Sequence, residues 1–249
     1  MILLAIGMPR AGSGWHYNLT HDLMLTAGAT DTREIRRRFR LGRILTEVNC
    51  NIGTLTPLRL GAVLIPSGMG NTFTIKLHAG PTLFARMLIQ RGQIRPTYIY
   101  RDPRDALLSA YEYGQRARAA GRENAFSHLE TIEAAIEFIA EYVRYWEQWT
   151  AIPECHAVRY EDLKTNYDRE ATRLAQFLGL DTAAPPVRAV IEKYQPEQAQ
   201  TGDRGLHFVK GISGRFRQSL TSEQQQICMN TFGETLTKMG YEGNVERRA

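Results

Sequence analysis

The sequence predicts an α/β fold: a single P-loop-like domain whose central parallel sheet is flanked by helices. Three observations predict this class. Short apolar runs alternate with longer segments of helical period along the chain. The first run, residues 2–6, is continuously apolar, as expected of a parallel strand buried on both faces. A glycine-rich segment, residues 7–14, then leads into a helical pattern. The length of 249 residues suits one domain, assigned here to residues 1–249.

The later elements continue this alternation. Further strands are predicted at 72–77, 97–100 and 156–160, and helices at 15–26, 81–90, from 103 onwards, 132–146, around 174–178 and at 223–239. Asp102 is the predicted N-cap of the helix at 103, and Asp105 takes the third helical position, as in a capping box. Asp162 is predicted to cap the segment after the fourth strand, and residues 194–219 are predicted to form a loop.

Composition restricts the cellular setting and the partners. A hydrophobic fraction of 43% supports a sizeable core, and the net charge of +5 suits an anionic partner. The three cysteines lack the spacing of a disulfide framework or a zinc site, which is typical of a reducing compartment. No run is long enough to span a membrane. We therefore expect a cytoplasmic protein, and we interpret the basic cluster at residues 36–40 as a solvated helix face rather than a nucleic-acid site.

The loop after the first strand predicts phosphate binding. Its glycines let backbone N–H groups approach an anion at a helix N-terminus, and Arg10 adds a fixed positive charge. The spacing from Gly7 to Gly12 resembles a Walker A loop, but Ser13-Gly14 stands where that motif has Lys-Ser/Thr. The loop therefore favours phosphate binding without magnesium-triphosphate chemistry.

Two further pairs of residues carry chemistry. Lys76 and His78 lie two positions apart at the end of a predicted strand, so both side chains share one face at the ligand-binding edge of the sheet. A histidine is suited to act as a general base for a hydroxyl, and a lysine stabilises developing negative charge. Arg101 ends the third strand and Ser109 lies two helical turns later, where a guanidinium and a hydroxyl can share one phosphate.

In this order the segments resemble the PAPS-dependent sulfotransferase family, especially its cytosolic branch acting on small molecules; PAPS is 3′-phosphoadenosine 5′-phosphosulfate. Five family motifs have counterparts here. The family's Pro-Lys-Ser-Gly-Thr-Thr-Trp stands as Pro9-Arg-Ala-Gly-Ser-Gly-Trp15, and its Lys-x-His-x-Pro stands as Lys76-Leu-His78 with Pro81 displaced. An arginine followed eight positions later by serine is present as Arg101 and Ser109, Tyr-Glu-Asp-Leu as Tyr160 to Leu163, and Arg-Lys-Gly-x-x-Gly as Val209-Lys-Gly-Ile-Ser-Gly214.

The resemblance implies in-line sulfonate transfer from PAPS, leaving 3′-phosphoadenosine 5′-phosphate (PAP), without a metal. His78 would be the base, with Arg10 and Lys76 stabilising charge on the departing 5′-phosphate. The other donor-binding residues implied are Ala11, Gly12, Ser13 and Gly14 at the 5′ end, Arg101, Ser109, Val209, Lys210 and Gly211 at the 3′-phosphate, and Trp15 and Tyr160 at adenine.

The chain departs from the family pattern at three positions. Arg10 replaces a lysine, Gly14 removes a hydroxyl, and Val209 replaces an arginine of the 3′-phosphate site. Another cation is needed if that contact is kept. The alternatives among the nearby residues are Arg204, Arg215 and Arg217.

Other functions compete with this interpretation. A P-loop kinase or phosphotransferase shares the phosphate-loop topology, a carbohydrate or glycolipid sulfotransferase shares the donor, and a polyanion-binding module would use the basic cluster. We expect a small-molecule acceptor; an alcohol, phenol, amine, sugar or natural product are all open. Both a monomer and a weak homodimer are open as oligomeric states.

Overall fold

The computed structural model describes residues 1–196 and 212–241. The described chain forms two compact units. The first contains residues 1–7 and 12–100 and the described part of 145–209; the second contains residues 8–11 and 101–144 and the described part of 210–249. The assignment of residues 1–249 to a single domain stays a prediction.

The first unit is built on a parallel sheet, which confirms the predicted fold class. Within the described residues the strands are Ile2–Gly7 (β1), Phe73–Leu77 (β2), Ile94–Tyr100 (β3) and His156–Arg159 (β4). Their order is β2-β1-β3-β4 and every pairing is parallel. All six residues of β1 are buried, because this strand lies between β2 and β3 and both of its faces are covered.

Helices connect the strands, as a parallel sheet requires. In the described part of the chain they are α1 (Ser13–Thr26), α2 (Thr32–Arg38), α3 (Pro57–Gly68), α4 (Leu83–Gln90), α5 (Pro103–Ala119), α6 (Ile132–Thr150), α7 (Tyr160–Thr165), α8 (Tyr167–Phe177), α9 (Pro185–Lys193), α10 (Phe216–Ser219) and α11 (Ser222–Lys238), with a 3₁₀ turn at Leu41–Arg43. None of the described helices is long and apolar enough to cross a membrane.

Several local predictions are corrected. Tyr160 begins α7 instead of ending β4, and the N-cap of α7 is Arg159, so Asp162 is not a cap. Asp162 instead accepts two hydrogen bonds from the Arg159 guanidinium, at 3.0 and 2.7 Å. The predicted loop at 194–219 contains α10, whose helical turn is formed by Phe216–Ser219. The predicted N-cap Asp102 is confirmed, since its carboxylate accepts from the backbone N–H of Arg104.

Candidate active site

Two glycines of the phosphate loop that lie in the first unit, Gly7 and Gly12, are packed so closely that only glycine fits. A Cβ on Gly7 would lie 2.6 Å from the Cβ of Ser13 and 2.9 Å from Cγ2 of Ile99. Gly12 has φ +79°, and a Cβ there would lie 2.8 Å from a ring carbon of Tyr160. The loop therefore turns tightly between β1 and α1, with Tyr160 packed against its backbone.

The N-terminus of α1 presents backbone donors. Gly12 is its N-cap, and no side chain of the described residues caps it. The first hydrogen bond of the helix runs from His16 N–H to Gly12 O at 3.0 Å. The N–H groups of Ser13, Gly14 and Trp15 thus belong to the first turn, where an α-helix supplies no partner and favours negative charge. This geometry suits an anion, as the sequence predicts.

His78 follows β2 and points to the same loop. Its Nδ1 lies 2.6 Å from the carbonyl oxygen of Gly7. Because a carbonyl only accepts, Nδ1 carries the proton and Nε2 carries the lone pair. Burial, followed by the charge of Lys76, lowers the pKa of His78 to about 3, although the bond to Gly7 opposes this shift. His78 is therefore neutral at pH 7, with Nε2 able to accept a proton.

The remaining predicted residues of the first unit are buried. Lys76 is 5% exposed and lies in β2, where it pairs with Ala5 of β1. The indole of Trp15 stacks on Tyr167 with ring centroids 5.6 Å apart, and its Nε1 donates to the Tyr194 carbonyl. Tyr160 meets Trp15 edge-to-face at 6.4 Å. Contact of these two rings with adenine stays a prediction.

Arg10 lies in the second unit, and its contacts there are specific. Its Nε donates to the Ser109 hydroxyl at 3.2 Å. Its guanidinium carbon lies 4.5 Å from the ring centroid of Tyr113 and 5.9 Å from that of Phe126. Burial lowers the pKa of Arg10, Tyr113 opposes this shift, and Arg116 and Arg101 add to it. The predicted role of Arg10 at the 5′-phosphate stays a prediction.

Arg101 is brought next to Arg10 and Ser109. The Arg101 side chain is buried, with Nη1 donating to the Arg10 carbonyl at 3.4 Å and Nη2 donating to the Ile212 carbonyl at 2.9 Å. The predicted pair of Arg101 and Ser109 is thus joined to Arg10 in one cationic cluster within the second unit. Three predicted residues, Val209, Lys210 and Gly211, lie outside the described residues.

Asp105 differs from its predicted role. It occupies the third position of α5, but its carboxylate accepts from the backbone N–H groups of Gly214 at 2.5 Å and Phe216 at 3.2 Å. It also lies 3.7 Å from Nη2 of Arg101. The carboxylate is buried at 3% exposure and anchors the late Gly-rich segment to α5 instead of forming a capping box.

Sequence reasoning singled out Ser109 but missed the polar face of α5 to which it belongs. Asp105 and Glu112 bind the late segment, the latter through Arg215, while Ser109 and Tyr113 contact Arg10. These positions are spaced by four, three and one, so they lie on one face of a helix. That polar periodicity was the available signal. Within residues 1–196 and 212–241, no three His, Cys, Asp or Glu side chains form a group that could hold a metal ion.

Comparison with known proteins matches this sequence to one family. A family model described as "Sulfotransferase domain" matches residues 69–240. Sulfotransferase 6B1 of Danio rerio is 21% identical over 238 residues, which cover 90% of this chain and 74% of that protein. Sulfotransferase 1A1 of Canis lupus familiaris is 20% identical over 171 residues, which cover 61% of this chain and 58% of that protein.

Solved structures share the fold. Mouse sulfotransferase SULT7A1, complexed with PAP, has a TM-score of 0.59 at 17% identity and covers 95% of this chain and 84% of its own. Retinol dehydratase in a complex with retinol and PAP has a TM-score of 0.61 at 14% identity, covering 100% of this chain and 83% of its own. A second structure of retinol dehydratase, with androsterone and PAP, has a TM-score of 0.59 at 16% identity and covers 100% of this chain and 82% of its own.

Proposed function

The chain belongs to the sulfotransferase domain family, and on that premise we propose that it transfers the sulfonate group of PAPS to a hydroxyl or amine of a small-molecule acceptor. The observation that carries the proposal is the hydrogen bond from His78 Nδ1–H to the Gly7 carbonyl. This bond ties a neutral imidazole to the phosphate loop and leaves Nε2 as a proton acceptor.

His78 Nε2 takes the proton of the acceptor as the acceptor oxygen or nitrogen bonds to sulfur. PAPS supplies an activated sulfonate, whose bond to the 5′-phosphate oxygen breaks as the new bond forms. Lys76 and the N–H groups of residues 12–14 stabilise the negative charge left on that oxygen. The uncapped first turn of α1 supports this role, because its donors favour an anion without any rearrangement.

The donor is distinguished from common nucleotides by its 3′-phosphate. Arg101 and Ser109 of the second unit bind this group, together with Lys210 and Gly211 of the late motif. The two relatives whose structures contain PAP support the same donor for this chain. The absence of a Walker lysine at Ser13 separates this loop from that of a nucleoside triphosphatase.

The acceptor we propose is a hydroxylated small molecule. A histidine base suits a hydroxyl at neutral pH, and retinol dehydratase has been solved with retinol and with androsterone. We also propose a cytoplasmic location, supported by the free state of Cys50, Cys155 and Cys228 in the structure.

Calorimetric titration with PAP, AMP and magnesium-free ATP tests the donor. We expect PAP to bind at least about tenfold more tightly than AMP, because a phosphate held by charged hydrogen bonds contributes about 1.5–3 kcal/mol. Equal affinity for PAP and AMP, or a preference for ATP, would contradict the proposal and favour a kinase or a general polyanion site. A screen of hydroxylated acceptors, with PAP release as the readout, then identifies the acceptor class.

A further inference from the structure

The 3′-phosphate site lacks one cation of the family pattern, since Val209 stands where the late motif has arginine. The sequence offers three substitutes, of which Arg204 lies outside the described residues. Arg215 is engaged by Glu112, with Nη1 donating to Oε2 at 3.2 Å. The Arg217 guanidinium lies over the Phe216 ring, 4.8 Å from its centroid. The two described substitutes are therefore engaged by Glu112 and Phe216.

Arg10 does make those contacts. Its Nε donates to Ser109 Oγ, and its carbonyl accepts from Arg101 Nη1. Its backbone has φ 63°, a left-handed conformation that costs a non-glycine residue roughly 1 kcal/mol or more. This backbone carries the Arg10 side chain to α5, where the guanidinium lies on the ring of Tyr113. The ring and the hydroxyl fix a planar fork that suits phosphate oxygens.

We infer that Arg10 binds the 3′-phosphate of the donor beside Arg101 and Ser109, and so replaces the cation that Val209 removes. This inference rests on the proposed function. It differs from the role at the 5′-phosphosulfate that the family pattern implies for this position.

The chemistry of the cluster supports an anion there. The Ser109 hydroxyl accepts from Arg10 and therefore keeps its own proton to donate to a phosphate oxygen. Burial lowers the pKa of the Arg10 guanidinium; Tyr113 and Glu112 oppose this shift, whereas the charges of Arg116 and Arg101 add to it because like charges repel each other. A doubly charged phosphate between Arg10 and Arg101 would offset that repulsion.

Arg10→Ala distinguishes binding of the 3′-phosphate from binding of the 5′-phosphate, because PAP carries both phosphates and AMP carries only the 5′-phosphate. We expect the dissociation constant of PAP to rise on the order of 10- to 100-fold, while that of AMP, measured by displacement, changes less than about threefold. Arg122→Ala is the control, because it removes an equal charge from an exposed position of the second unit, just after α5. This control should leave both constants within about threefold of the unmutated values.

Further variants guard against unfolding and sharpen the outcome. Arg10→Lys keeps the charge but loses the fork, and we expect PAP alone to be weakened. Arg10→Ala should reduce PAP affinity by a smaller factor when Ser109 has already been replaced by alanine than when Ser109 is present, because the two residues act together. If Arg10→Ala weakened AMP and PAP by the same factor, Arg10 would act at the 5′-phosphate and the inference would be overturned. A failure of the proposed function looks different, since the unmutated protein would then not prefer PAP to AMP.

Discussion

At the scale of single residues, His78 shows how a backbone contact assigns a chemical role. The Gly7 carbonyl holds the Nδ1 proton at 2.6 Å, so Nε2 is left as the basic nitrogen. Burial lowers the pKa of His78 to about 3, and Lys76 adds to this. A lowered histidine pKa keeps the ring neutral well below pH 6.5, but it also makes Nε2 a weaker base.

This leads to a prediction for His78 in the free protein. We expect its ring to stay neutral, with the proton on Nδ1, from pH 8 to pH 5, because the charged form is disfavoured by burial and by Lys76. Two-dimensional ¹H–¹⁵N spectra of the histidine rings measure both the tautomer and the charge, and His78→Asn assigns the signal. A titration midpoint between pH 6 and 7, or a proton on Nε2, would refute the assignment.

His78→Asn also tests catalysis. The asparagine amide can donate to the Gly7 carbonyl as Nδ1 does, but it cannot accept a proton at neutral pH. We expect turnover to fall by about 10²- to 10⁴-fold, with PAP affinity and the free energy of unfolding nearly unchanged. Near-native turnover in this variant would show that another group is the base.

At the scale of elements, the loop between β1 and α1 depends on Gly12. This residue combines φ +79° with the close approach of Tyr160. Gly28, just after α1, has the same φ of +79°, but a Cβ there would meet nothing within 4 Å. The two glycines therefore separate the cost of backbone conformation from the cost of packing.

We expect Gly28→Ala to lower the free energy of unfolding by about 1–2 kcal/mol through its backbone alone. Gly12→Ala should lower it by about 2–4 kcal/mol, because overpacking against Tyr160 adds to the same backbone cost. Only Gly12→Ala should weaken PAP binding, since it displaces the donors of α1. Urea denaturation and PAP titration measure the two effects. Equal losses of stability in both variants would mean that the loop relaxes and that Tyr160 does not hold it.

The elements also show which helices a sequence pattern reveals. The strands and the helices α1, α5, α6 and α11 were predicted from apolar period and from clear caps. Helix α3 was missed because Gly61 and Pro66 weaken the helical pattern, although Thr56 and Pro57 form a recognisable start. Helix α9 is also absent from the predicted elements; Pro185 opens it, where the missing N–H costs nothing.

At the scale of the whole molecule, the order of five motifs predicted the family. It did not predict the contacts of Arg10. A motif assigns a role by position in the sequence. The direction of the Arg10 side chain depends instead on its left-handed backbone conformation and on the ring of Tyr113 in α5. The partners of Asp105 were hidden for a similar reason, because Gly214 and Phe216 are more than 100 positions away in sequence.

Three histidines connect the sheet unit to the acid stability of the protein. Burial lowers the pKa of His16 to about 3 and that of His156 to about 4, as it does for His78. In the unfolded chain each of these rings has an ordinary pKa near 6.5 and binds a proton below it. Since the native state binds fewer protons, stability is fully present above pH 6.5 and declines as pH falls towards the native values.

His16 gives this linkage a clean test. It is 1% exposed, and its Nε2 lies 3.1 Å from Thr97 Oγ1. Linkage predicts that His16 alone accounts for about 2 kcal/mol of the unfolding free energy lost between pH 7 and pH 5. His16→Gln can keep a hydrogen bond to Thr97 but does not titrate, so its loss over the same interval should be smaller by about that amount. Urea denaturation of both proteins at the two pH values measures the difference. Equal losses would mean that His16 is protonated in the native state, and burial would then not set its charge.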